Sequence, residues 1–167
     1  ALDAGLCPVP VYIHAPEEEG DWAPGGASQA WLHRSLHALG EALVERGSRL
    51  LLRRGPSLAA LEALADEVGA EAVFWSRLYE PALVERDARI KQALRARGLR
   101  AESFNAALLR EPWQVSTGQG DPYRVFTPFW RKARADIEAT PRPPIPAPAS
   151  LPTPPAVEGL PLDALDL

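Results

Sequence analysis

The chain has 167 residues, a formal net charge of −4 and a pI near 5.4, with 46% hydrophobic and 24% charged residues. That size fits one domain with extensions and can bury well over half of its unfolded surface. The acidic balance offers no support for nucleic-acid binding by this chain alone, which needs clustered positive charge. A single cysteine, Cys7, excludes an internal disulfide and fits a reducing, cytoplasmic setting. No apolar run approaches the about 20 residues of a membrane span, and no basic start with an apolar centre marks a signal peptide. The absence of methionine leads us to expect a processed, trimmed or excerpted sequence.

In chain order, residues 1–7 read as a loop or helix end. Pro8 to His14 is rich in β-formers and reads as a strand whose two prolines keep its start out of the pairing. Glu17 to Gly26 is an acidic, glycine-rich loop in which Trp22 is either an aromatic lid on the fold or a group over a ligand. Ala27 to Arg46 is a helix, with Leu32, Leu36, Leu39 and Leu43 on one face and Gly47 as its C-terminal cap. Arg49 to Arg53 is a strand. Ser57 is expected to cap a helix to Val68 that turns Leu58, Leu61, Ala65 and Val68 inward and ends at Gly69. Glu71 to Ser76 is a strand, Pro81 to Arg97 a helix ended by Gly98, and Leu99 to Phe104 a last strand. This alternation predicts an α/β fold, a parallel sheet with helices on both faces and right-handed crossovers.

Asn105 to Asp121 is expected to be mostly irregular. Thr127-Pro128 is expected to open a short helix with Pro128 at its first position, bringing Phe126, Phe129 and Trp130 together. So dense an apolar cluster either covers a core edge or meets a partner. From Pro141 to Pro161 prolines dominate, which predicts an extended, semi-rigid spacer with no core. Leu160 to Leu167 is apolar enough to dock, for example on a neighbouring domain.

Gly120-x-Pro122-Tyr123-x-Val125-Phe126-Thr127-Pro128-Phe129-Trp130 resembles the segment that closes the N-terminal α/β domain of DNA photolyases and cryptochromes. Pro10-Val-Tyr-Ile-His14, Ala27-Ser28 through Trp31-Leu-His-Arg-Ser-Leu36, Gly47 to Gly55, Tyr79-Glu80-Pro81 and Leu109-x-x-Pro112-Trp113 continue the match in order and spacing. The set spans about residues 8–134 and is specific together, though no single motif suffices. The resemblance implies a Rossmann-like antenna domain over 1–134 and a proline-rich interdomain linker over 135–167. In the family the α/β domain often holds a light-harvesting pigment, and a separate helical domain binds FAD and damaged DNA and carries out the lyase chemistry of repair. That helical domain is absent here, so this chain alone is not expected to be catalytic; its expected partner is such a domain, docking on Phe126, Phe129 and Trp130. The resemblance also implies that the family's first strand, central in an order 3-2-1-4-5, is missing from this chain. That leaves two half-sheets with exposed edges unless a substitute strand is supplied or residues are omitted from the sequence.

Open parallel sheets bind ligands beyond the carboxyl ends of their strands, near the point where the strand order reverses. Tyr12, His14, Trp75, Ser76 and Glu80 stand at those ends, and Ser28 and Trp31 at the start of a helix facing the same crevice. The aromatic groups are candidates to stack on a flat pigment, with Ser76 and Glu80 bonding its polar edge. The competing readings are core packing for Trp31 and Trp75, and a helix-terminal carboxylate for Glu80. Folate-binding members carry an Asn-Glu pair where Ala82-Leu83 stand here, which points to FMN or a deazaflavin, or to an empty crevice, rather than folate. No G-x-G-x-x-G loop follows a strand. His33 and His37 have the spacing of a metal pair but no third ligand, and read as packing or solvent-facing residues. The basic run Arg86 to Arg100 is interleaved with acids and reads as a salt-laced helix face, and no Ser-His-Asp or Cys-His arrangement can be argued. Three functions follow: an antenna domain, a pigment-free interaction or signalling module, and, least supported, a small nucleotide-binding enzyme.

Overall fold

The structure is a computed structural model that describes residues 2–140 and 143–167, without the side chains of Ala4 and Trp22. The positions at 141–142, where the proline-rich stretch begins, and the proposed Trp22 lid therefore lie outside what is described.

Among the described residues, four short strands carry the α/β fold: β1 (Val11–His14), β2 (Leu51–Arg54), β3 (Ala72–Ser76) and β4 (Arg100–Phe104). They form two separate two-stranded parallel sheets, β1–β2 and β3–β4, in place of one continuous sheet. Pro8 and Pro10 precede β1, as their missing donors require, and the Pro10 carbonyl accepts from the Leu51 amide at 2.8 Å.

Three helices connect or follow these strands: α1 (Gly26–Glu45), α2 (Ser57–Val68) and α3 (Pro81–Ala96). Gly69 takes a left-handed φ of 61° just beyond α2, and Gly47 a φ of 83° beyond α1, a conformation glycine adopts without a side-chain clash. Ser57 does not cap α2. Pro56 occupies the cap position, and the Ser57 hydroxyl donates instead to Glu18 in the loop after β1.

After β4 the chain makes a short 3-10 turn at Pro112–Gln114, and then α4 (Phe126–Ala139). This last helix starts earlier and runs longer than expected, with Pro128 as its third residue. The first four amides of a helix have no intrahelical acceptor, so proline is tolerated there as well as at the first position. Lys132–Asp136 and Arg134–Glu138 pairs, each one turn apart, support its length.

The proline-rich tail is not a free spacer. The Arg49 guanidinium donates to the carbonyls of Pro155 and Val157 at 2.7 and 2.8 Å, and Arg53 donates to that of Glu158 at 2.6 Å. The Leu160 amide donates to the Leu52 carbonyl at 3.0 Å, so the tail lies along the outer edge of β2. A final 3-10 turn, Leu162–Leu165, inserts Leu165 beside Leu36 and Leu52 with no solvent exposure. The apolar end thus docks on its own domain, because it completes a core that α1 and β2 leave open; each such burial contributes about 1.5–3 kcal/mol. A second core gathers Ile90 and Leu94 of α3 with Ala101 of β4.

Candidate functional site

The loop after β1 and the start of α3 meet. Glu18 accepts from the Ser57 amide at 3.0 Å and lies 4.0 Å from Arg86. Gly20 packs against Ala82, so tightly that an added Cβ would sit 3.2 Å from the Ala82 methyl. The carboxyl ends of β1 and β3 therefore lie on the same side of the molecule.

A cavity of about 740 Å³ runs between these strands, lined by Val11, Tyr12 and Ile13 on one wall and all five residues of β3 on the other. Leu61, Leu64 and Ala65 of α2 cover it, and Arg86 and Asp87 stand among its lining. A polar chain spans this end of the fold. The Trp75 indole N–H donates to Asp87 at 2.9 Å; Asp87 accepts from Arg86 at 2.8 Å; Arg86 faces Glu18; and Glu18 takes both Ser57 donors. The Lys91 ammonium lies 5.4 Å from the centre of the Trp75 ring.

The candidates named from sequence divide into two groups. Tyr12, Trp75 and Ser76 line the cavity. His14 is buried and stacks with Tyr12, their ring centres 6.5 Å apart. Ser28 and Trp31 lie outside the cavity lining; Trp31 is 74% exposed, which removes core packing as its explanation. Glu80 is exposed at the residue preceding α3, and its carboxylate accepts from the Tyr79 amide at 3.1 Å. Burial, and then the charge of Glu19, raise the Tyr12 phenol above its ordinary value of 10.0. The arrangement offers rings, a carboxylate and cations at a crevice.

Sequence reasoning assigned Arg86 and Asp87 to a solvated face and gave Glu18 no role. Asp87 was findable: Leu83, Asp87, Ile90 and Leu94 share one stripe of α3, and the three apolar members are buried. An acid on an apolar stripe needs a buried partner, which Trp75 supplies.

Beyond this crevice, Arg77 pairs with the buried Glu111, and the Tyr79 hydroxyl donates to the same carboxylate at 2.8 Å. Arg77 also lies 5.2 Å from the Trp113 ring centre. The Tyr79-Glu80-Pro81 and Pro112-Trp113 motifs are thus tied together. On α4, Phe126 and Trp130 stack with centroids 6.3 Å apart and planes 5° from parallel, and Phe129 packs on Phe126. This cluster faces solvent, with Phe126 70% exposed and Trp130 44%. Among the described residues, no group of three or more His, Cys, Asp and Glu is placed to hold a metal, and no helix is long and apolar enough to cross a membrane. His33 and His37 instead face the carboxylates of Asp163 and Glu41.

A family model described as DNA photolyase matches residues 1–149. The chain belongs to the DNA photolyase family. It is 42% identical over 154 residues to the deoxyribodipyrimidine photo-lyase of Agrobacterium fabrum, covering 92% of this chain and 31% of that protein. It is 39% identical over 125 residues to Arabidopsis thaliana cryptochrome-1, covering 74% of this chain and 18% of that one. Among solved structures, the bacterial class III photolyase from Agrobacterium tumefaciens superposes with a TM-score of 0.89 at 39% identity, over 98% of this chain and 33% of that one. The chain thus spans about a third or less of the length of these photolyase and cryptochrome relatives.

Proposed function

We propose that this chain is the light-harvesting antenna domain of a deoxyribodipyrimidine photolyase. It holds a second chromophore and docks on a helical FAD domain that carries out blue-light-driven DNA repair. The observation that carries this reading is the solvent-facing ring cluster of Phe126, Phe129 and Trp130, on a chain that spans 31% of its Agrobacterium fabrum relative. Contiguous exposed rings of this kind mark a surface made to face another body. In this reading residues 1–134 are the pigment-binding body and 135–167 the connecting segment, and the protein works in the cytoplasm. Damaged DNA is met only through the helical domain.

The pigment is FMN or a deazaflavin, held by Tyr12, Trp75 and Ser76 with His14 and Glu80 at the strand ends. The positions where a folate clamp is expected support this choice: Ala82 is packed against Gly20, and Leu83 is buried. A pigment-free, cryptochrome-like interaction module is the second reading. It is favoured by Asp87 and Lys91, which already occupy the N–H and ring of Trp75.

The test is fluorescence titration of the purified chain with FMN, a deazaflavin and a folate, alone and joined to the helical domain of the Agrobacterium photolyase. Saturable quenching of a flavin-type pigment, weakened by Trp75→Leu, is expected. Failure of all three pigments to bind in either setting overturns the antenna role. Separately, Phe126→Asp with Trp130→Asp is expected to abolish association with the helical domain.

A further inference from the structure

The outer edges of the two sheets are closed in different ways. Along β2 the tail lies against the edge, with the Leu160 amide bonded to the Leu52 carbonyl. Among the described residues, no strand or tail segment pairs with the far side of β4. The ladder shows which groups point there. The Arg100 amide donates to Glu71 and the Phe104 carbonyl accepts from Arg77, so the even-numbered residues of β4 turn their backbone to β3. Ala101 and Ser103 turn theirs outward, as the groups of an edge do.

Both outward carbonyls are occupied, each by an arginine. Arg95, in the last turn of α3, donates to the Ala101 carbonyl at 3.0 Å. Arg77 donates to the Ser103 carbonyl at 2.7 Å, and its Nε to the Ser103 hydroxyl at 3.3 Å. Glu111 and Trp113 hold Arg77 from its other sides. Arg95 is exposed, so the latch over the middle of the strand is one long side chain that can swing away.

The edge beneath these arginines is complementary to itself. Two copies of β4 laid antiparallel about a two-fold axis at Ala101 set Ala101 opposite Ala101, where amide and carbonyl exchange bonds. Arg100 of each copy then stands opposite Glu102 of the other. Within one chain these two side chains already pair at 2.7 Å on the solvent side of the strand, and the two-fold doubles that attraction. An alignment centred on Glu102 instead sets glutamate against glutamate, which is unfavourable. Charge thus selects one register.

We propose that the outer edge of β4 is a two-fold pairing surface for a second copy of this chain, held closed by Arg95 and Arg77. This rests on neither the pigment reading nor the α4 rings.

Sedimentation velocity and residue-resolved amide exchange on the whole chain test this. The native chain is expected to stay unpaired at this edge. Arg95→Leu is expected to associate as concentration rises, with exchange at Ala101 and Ser103 slowing about tenfold or more in the associated form. Arg89 is exposed on the same helix; Arg89→Leu makes the same chemical change away from the edge and should not associate. Adding Glu102→Arg to Arg95→Leu sets arginine against arginine and should abolish association. Arg77→Lys, which lacks the fork to hold Glu111 and the Ser103 carbonyl together, should act in the same direction but more weakly, and it keeps the test decisive should Arg95→Leu lose its cooperative melt. The proposal is overturned if the folded variants stay unassociated, if association leaves the Ala101 and Ser103 amides unchanged, if it survives Glu102→Arg, if Arg89→Leu associates as strongly, or if the native chain already pairs there.

Discussion

The β1–β2 and β3–β4 pairs share a parallel geometry, yet their cores are closed by different parts of the chain. Around β2 the closing residue is Leu165, brought back from the far end of the sequence and fully buried against Leu36 and Leu52. Around β4 the closing residues, Ile90 and Leu94, come from the helix that leads directly into that strand. The second half is a local unit whose contacts form at low loop-closure cost, while the first depends on a contact across most of the chain. Similar strand pairs can therefore differ in how they are held, and the difference should be visible in which half opens first.

The largest effect is expected from ending the chain after residue 150. This removes Leu165 and the carbonyls that Arg49 and Arg53 hold. The loss should be at least the roughly 2–5 kcal/mol of one deleted buried leucine, and amide protection should collapse over Leu51–Arg54 while Arg100–Phe104 stays protected. Equal loss in both pairs would break the comparison.

Leu94→Ala is the converse experiment. Its side chain has no solvent exposure, so a cost of about 2–5 kcal/mol is expected in chemical denaturation. The protection lost should now be that of β3 and β4, leaving Leu51 and Leu52 less affected.

The smallest effect sharpens the wall of β1. Because the folded state holds the Tyr12 proton more tightly than the unfolded chain does, its stabilising contribution is complete below the ordinary value of 10.0 and declines as pH rises past it. Tyr12→Phe should flatten the fall in melting temperature above that pH. An unchanged slope would place the phenol in water.

Much of the local structure was legible. The leucine spacing of α1, the span of α2 and the glycines at 47 and 69 all carry short-range signals, and the structure follows them to within a residue or two. What escaped depends on contacts between distant residues. Ser57 has a cap residue's chemistry but was recruited by Glu18. The tail's prolines speak for extension, which is correct locally, but say nothing of the arginines that hold it. At the crevice, Trp75 was named but Asp87 was not, because their pairing exists only once α3 lies on β3. Trp31 looks the same in sequence whether it faces the core or water; here it faces water.

The way the tail is gripped also sets which of its letters can be rewritten. Arg49 and Arg53 hold carbonyl oxygens, which every amino acid possesses, so Ala156 and Glu158 can drift freely provided the path is kept. Gly159 is less free, since a methyl group there would stand 3.3 Å from the Leu52 nitrogen and the tail would have to shift by a few tenths of an ångström. Mutational tolerance along this segment should therefore be permissive at Ala156 and Glu158, narrower at Gly159 and strictest at the buried Leu165.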